Sequence, residues 1–342
     1  MNIAFFQRDL PPEKHGGVAK QVHLLANELV RLSQTVTVFS LSEKPDSALY
    51  EVRPCPMPPS LRSIRLTERF LLGWYFSRIP LHGFDIVHAH GDNFFMFGKG
   101  PQVRTYYGSA LGEALHARNP LRALEQSLFW LGELAGLAAA DVRVSISPGT
   151  KKYLPYIGHI VPCGVDLLAY RPANEKNPGP AILFVGSAQG RKRGQAMAAV
   201  YQRIRQQAPD AVLWTVGAGF EEGAGIHCFK NIDEDTLITL YQKAWVLCSL
   251  STYEGFGLPL AEAMACGTPV VSTPNTGASF VLENGKNGII CGLERISDTV
   301  CGLLKDKTAR DALAQAGGTR AQAFDIRTIA ARYLELYHEL IV

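Results

Sequence analysis

Short β-rich runs alternate along the chain with longer segments whose apolar residues recur at helical spacing. NIAFF (2–6), TVTVFSL (35–41), DIVHAH (85–90), VRTYY (103–107) and VRVSIS (142–147) read as strands. Between the first two, GVAKQVHLLANELVRL (17–32) puts Val18, Val22, Leu25, Leu29 and Leu32 on one helical face. This alternation predicts a parallel sheet covered on both faces. The stretch 161–180, rich in proline, glycine and asparagine, interrupts it as a linker would. The pattern then restarts with AILFVGS (181–187), AVLWTVG (211–217), WVLCSLS (245–251) and TPVVST (268–273). The reading is α/β: two doubly wound domains, 1–165 and 166–325, facing across a cleft. The amphipathic helix 326–342 is expected to pack across the junction. No repeat of solenoid period interrupts this scheme.

Such folds bind ligands where loops leave the carboxyl ends of strands, so the loops carry the candidate chemistry. In the first, Gly16 and Gly17 stand at a helix start, where backbone N–H groups can approach an anion or simply form a turn. The second, GSAQGRKRG, sets Arg191, Lys192 and Arg193 behind a strand. Arginine chelates phosphate oxygens and lysine adds a point charge, so a diphosphate fits; a solvated turn is the plainer reading. The third is STYEGFGLPLAEAMACGTPVV (251–271). Leu258 and Pro259 look like the first helical residues, and the loop Gly255, Phe256, Gly257 leads into them. The N–H groups of Gly257 and Leu258 can meet a phosphate. Glu254 before this nest and Glu262 within the helix only accept hydrogen bonds when ionised, so both suit hydroxyls. A ligand made of sugar, diphosphate and ribose in that order satisfies the pair.

This third stretch resembles the signature of the retaining glycosyltransferases of family 4, which have the GT-B fold of two Rossmann-like domains. GGVAKQVHLLANEL, FDIVHAHG, VPCGVDLLAYRP and VGSAQGRKRG extend the resemblance in the family's order over most of the chain. The resemblance implies a nucleotide-sugar donor held by the C-terminal domain. It puts Glu254 on the donor sugar, Glu262 on the ribose, Arg191 and Lys192 on the diphosphate, and Gly16–Gly17 near the donor phosphate. It implies transfer to a hydroxyl with retention, the departing diphosphate stabilised by the cations. One departure stands out: where the family often has histidine then glycine, this chain has Tyr107 and Gly108. Tyrosine is a poor base at neutral pH, so sugar choice is open there. His90, in HAHG, is a further candidate near the cleft. Ile232 is the candidate contact for the base of the nucleotide, expected to be UDP.

Composition narrows the alternatives. The net charge of +3 over 342 residues does not argue for nucleic acid. The 47% hydrophobic content suits two well-packed cores. Seven scattered cysteines without CxxC spacing point to a reduced compartment. No leader peptide or membrane-spanning run is evident, so a cytoplasmic protein is expected. The stretch 61–80 mixes Arg62, Arg65, Arg69 and Arg78 with aromatic residues; it reads as a basic-faced helix or as a peripheral membrane contact. Acceptor expectations span a glycan, a lipid-linked glycan and a small molecule. No cofactor is expected: His88 and His90 lack companions for a metal site, and no Asp-x-Asp pair of the metal-dependent kind is present. VGAGFEEGAG (216–225) reads as a turn, not a dinucleotide fingerprint. A non-catalytic nucleotide-sugar-binding protein keeps the same donor residues; a phosphorylase-like enzyme or a two-domain dehydrogenase fits less well.

Overall fold

The structure is a computed structural model describing residues 1–341 apart from 13–15, 63, 64, 118, 155 and 224. Within the basic stretch 61–80, residues 63 and 64 and the side chains of Arg62, Arg65 and Arg69 lie outside the described residues. The chain divides into two compact units. One comprises Met1–Gly164 with Ile326–Val342, the other Val165–Asp325.

The first unit is built on seven parallel strands: β1 (Asn2–Phe6), β2 (Thr35–Ser40), β3 (Glu51–Pro54), β4 (Ile86–Ala89), β5 (Gln102–Tyr106), β6 (Val142–Ser145) and β7 (His159–Ile160). Their order is β3-β2-β1-β4-β5-β6-β7. In β1, Ile3 pairs with Val36 on one side and Ile86 on the other. The helices are α1 (Gly17–Arg31), α2 (Arg65–Arg78), α3 (Ala110–Leu115), α4 (Pro120–Ala139) and α5 (Pro148–Lys151). Alternation along β1 explains the layering: Ile3 and Phe5 pack with Val22, Leu25 and Leu29 of α1, while Ala4 and Phe6 pack with Leu72 and Phe76 of α2.

The second unit repeats the plan with six parallel strands. These are β8 (Ala181–Val185), β9 (Val212–Val216), β10 (Ile226–Phe229), β11 (Val246–Ser249), β12 (Val270–Ser272) and β13 (Ile289–Ile290), in the order β10-β9-β8-β11-β12-β13. Its helices are α6 (Gly194–Gln207), α7 (Glu234–Lys243), α8 (Leu258–Ala265), α9 (Thr276–Val281), α10 (Ile296–Lys305) and α11 (Lys307–Ala321). Ile182, Phe184, Leu213, Val246 and Val271 of the sheet form one core with Met197, Ile204 and Val300 of the helices. Within 216–225, Val216 ends β9 and residues 217–223 are irregular, not a helix start; residue 224 lies outside the described residues.

The last helix, α12 (Ile326–Ile341), belongs to the first unit. Its Ile329, Tyr333, Leu336 and Tyr337 join the α1 side of that core.

Strand order reverses once in each sheet. In the first unit the chain turns outward on either side of the β1/β4 pair; in the second it does so at β8/β11. Connections leaving two such neighbours go to opposite sides and open a crevice beyond the strand ends. The loops after β1 and β4 carry Gly16, Gly17 and His90. Those after β8 and β11 carry Arg191, Lys192 and Glu254.

Candidate active site

In the second unit the loops after β8 and β11 are tied together. Residues Gly190–Lys192 form one turn of 3-10 helix. Arg191 Nη1 donates to Glu254 Oε2 at 2.7 Å and to the Tyr253 carbonyl at 2.8 Å. Lys192 Nζ donates to Glu254 Oε1 at 2.6 Å. The backbone N–H of Thr252 returns a bond to the Arg191 carbonyl at 2.9 Å. Glu254 is thus a buried carboxylate with a cation on each oxygen. Burial alone would raise its pKa; Lys192, then Arg191, overturn that and bring it down to about 2.

The residues after Glu254 shape the loop. Gly257 has φ +103° and ψ +49°, a left-handed conformation that favours glycine, and it is the N-cap of α8. Leu258 opens α8 and Pro259 follows, so the leading N–H groups of this helix have no acceptor inside it. Gly255 is half-buried. The Phe256 ring is turned into the core against Phe280 and Phe324, so that position offers the loop its backbone. Helix α9 backs the loop from behind: Thr276 Oγ1 donates to the Glu254 carbonyl at 3.1 Å, and a Cβ on Gly277 would collide with the Phe256 carbonyl oxygen and lie 2.7 Å from Glu254 Cβ.

Glu262 lies within α8 and is buried. Its Oε2 accepts from the Tyr241 hydroxyl of α7 at 2.8 Å. Burial, then the Glu262 charge, hold the Tyr241 phenol well above its ordinary pKa, so it stays a donor. Ile232 is half-buried in the loop between β10 and α7, next to Asp233, whose side chain caps α7 through Thr236 N.

In the first unit Gly16 is the extended N-cap of α1, at φ −96° and ψ 146°, and Gly17 is the first helical residue. His90 and Tyr107 meet: His90 Nδ1 lies 2.9 Å from the Tyr107 hydroxyl. Behind them runs a buried polar chain. His88 Nδ1 bonds Tyr337 at 2.6 Å, His88 Nε2 bonds Thr105 at 2.8 Å, and Thr105 bonds Tyr333 at 2.9 Å. Burial, then neighbouring positive charge, lowers the pKa of both histidines, so each ring is neutral at physiological pH.

The candidates therefore fall into three groups: Arg191, Lys192 and Glu254; Glu262 with Tyr241; and His90 with Tyr107. Tyr241, Thr276 and Gly277 are supports that motif reading does not single out. Gly277 carried a faint signal, because it follows the helix-capping Asn275. Among the described residues no group of three or more His, Cys, Asp or Glu side chains is placed to hold a metal ion, and no helix is long and apolar enough to cross a membrane.

Residues 15–168 match the profile of Glycosyltransferase Family 4, and residues 169–320 match that of Glycosyl transferases group 1. The chain is 27% identical, over 77% of its own length and 72% of the relative's, to a D-inositol 3-phosphate glycosyltransferase of Arthrobacter sp. (strain FB24). Among solved structures, a sucrose-phosphate synthase from Thermosynechococcus elongatus superposes with a TM-score of 0.83 at 22% identity, covering 99% of this chain and 98% of the other. Anabaena HepE in complex with UDP-glucose gives 0.76 at 16% identity, covering 99% of this chain and 100% of the other. These structural likenesses show the GT-B fold, while the two abutting profiles, which together span residues 15–320, show the family: the chain is a glycosyltransferase and belongs to retaining glycosyltransferase family 4, the glycosyl transferases group 1.

Proposed function

We propose that the enzyme moves a sugar from a nucleotide diphosphate sugar, UDP-linked, to an acceptor hydroxyl, with retention at the anomeric carbon and without a metal. The observation that carries this reading is the Arg191–Glu254–Lys192 cluster at the switch point of the second sheet. Two cations there can take the charge of a departing diphosphate, which is the main electrostatic need of such a transfer. A bound diphosphate competes for both cations and loosens their hold on Glu254, which then accepts from sugar hydroxyls. Glu262, which accepts from Tyr241, takes the ribose diol. The acceptor attacks from the side the phosphate leaves and the phosphate takes its proton, by analogy with the family. UDP is favoured because HepE, of the same fold, is a UDP-glucose complex. The acceptor is a glycan, a lipid-linked glycan or a small molecule; the Arthrobacter relative is named for a phosphorylated cyclitol.

Exposed Trp74 on α2, with the Arg78 guanidinium 4.9 Å from its ring centre, supports peripheral contact of residues 61–80 with an anionic membrane. Co-sedimentation with anionic and neutral vesicles tests it.

The donor reading is tested by thermal shift with UDP, GDP, ADP and their sugars, with and without EDTA, on wild type and Glu262→Ala. The expected result is a shift with UDP compounds that EDTA does not change and the variant loses. A shift that requires divalent metal, or none with any nucleotide, removes the reading.

A further inference from the structure

Along β5, Val103 packs on the α1 side of the first sheet while Tyr106 packs against Leu137 of α4. Arg104 follows Tyr106 by strand alternation. Its guanidinium lies over the Tyr106 ring at 4.6 Å. Arg104 is only 6% exposed, yet it forms no ion pair with a carboxylate among the described residues. Its Nη1 reaches the Ala89 carbonyl at 3.5 Å, the guanidinium also hydrogen-bonds the neutral Tyr106 hydroxyl, and its buried Nε has no partner. A guanidinium removed from water without a counter-charge is costly, and a fold keeps one where an anion completes it.

The surroundings leave room for that anion. The loop after β4 passes Arg104 at Gly91. A Cβ there would meet one atom within 4 Å, Arg104 Nη1 at 3.9 Å, so the space beside the guanidinium is open. The N–H of Gly91 has no acceptor among the described residues. Gly91 follows the carboxyl end of β4, and Arg104, midway along β5, pairs with Ala89, the last residue of β4, beside the switch point of the first sheet.

We propose that Arg104 and Gly91 form an anion subsite in the first unit, which takes a phosphate group carried by the acceptor. The proposal rests on the glycosyltransferase reading above and narrows its acceptor to a phosphorylated hydroxyl compound.

The test is thermal shift at constant ionic strength, with inorganic phosphate, glycerol 3-phosphate and glycerol as probes. Wild type should be shifted by both phosphates and not by glycerol, and more by glycerol 3-phosphate than by inorganic phosphate. Arg104→Met should lose the shift and, without ligand, melt higher than wild type, because a buried unpaired charge has been replaced by an apolar side chain. A structural arginine gives the opposite sign. Gly91→Ala, which fits without a clash, should also lose the shift and serves if Arg104→Met does not fold. Lys192→Ala should keep the phosphate shift while losing that of UDP, so failure of the donor reading shows separately, as absence of a UDP shift in wild type. A phosphate shift that survives in both Arg104→Met and Gly91→Ala overturns the subsite. A glycerol 3-phosphate shift no larger than that of inorganic phosphate overturns the acceptor assignment in favour of free phosphate.

Discussion

Replacing Glu254 by glutamine removes a charge and changes little else in size, so it isolates what the carboxylate does for the ligand-free protein. The carboxyl is held at about 2 against an ordinary 4.5. At about 1.4 kcal/mol per unit, that difference corresponds to roughly 3 kcal/mol of stability at neutral pH. The sign follows from the lowered folded pKa. The contribution is complete above the unfolded value and is lost as pH falls from about 4.5 towards 2; by pH 3 roughly 1 kcal/mol remains. Glu254→Gln should therefore unfold at lower urea concentration than wild type at pH 7, and the gap should close on acidification. Adding UDP should recover more stability in the variant than in wild type, because a diphosphate supplies the anion that Arg191 and Lys192 have lost. Paired urea titrations at pH 7, 5 and 3, with and without UDP, give all three comparisons. A gap that stays constant across this range, or a variant as stable as wild type at pH 7, refutes the electrostatic account of the cluster.

Other residues give sharper single outcomes. Tyr241→Phe removes the donor to buried Glu262 and should cost about 2 kcal/mol in urea unfolding while weakening UDP binding by calorimetry. Gly277→Ala drives a methyl into the backbone of the Glu254 loop and should abolish measurable UDP binding. By contrast, Gly302→Ala, at an exposed position of α10, meets nothing within 4 Å and should stabilise by about 0.5–1 kcal/mol through helix propensity. Tyr337→Phe breaks the bond to buried His88 and should cost about 1–3 kcal/mol by thermal melt, with UDP binding unchanged.

The strands that pattern reading picks out are the interior ones, and those it passes over are β3, β7, β10 and β13. All four lie at sheet edges. Glu51, Arg53 and Pro54 of β3 are exposed, and β7 and β13 have two residues each. An edge strand packs on fewer neighbours, so no apolar run marks it, and its pairing depends on the finished sheet. The site divides in the same way. Glu254, Glu262, Arg191 and Lys192 are legible because a glycine loop at a helix start has local chemistry. Tyr241, 21 residues before Glu262, looks like any other helical aromatic residue until α7 is laid on α8. Nor does sequence reveal that Glu254 and the two cations, 62 and 63 residues away, hold one another. The pairing of His90 with Tyr107 likewise comes from adjacent strand ends and not from spacing.

The return of α12 to the first unit has a consequence for biosynthesis. Residues 165–325 form the second unit without interruption, and a bridge between Val165 and Asp325 brings its two ends together. The first unit begins earlier yet depends on the final 16-residue helix for Tyr333 and Tyr337, the partners of Thr105 and His88. A ribosome delivering this chain from the N-terminus thus completes the later unit first, inverting the usual order of domain folding. Until α12 emerges, the α1 side of the first core lacks the packing of Ile329, Tyr333, Leu336 and Tyr337, and that unit stays incomplete throughout the synthesis of the second.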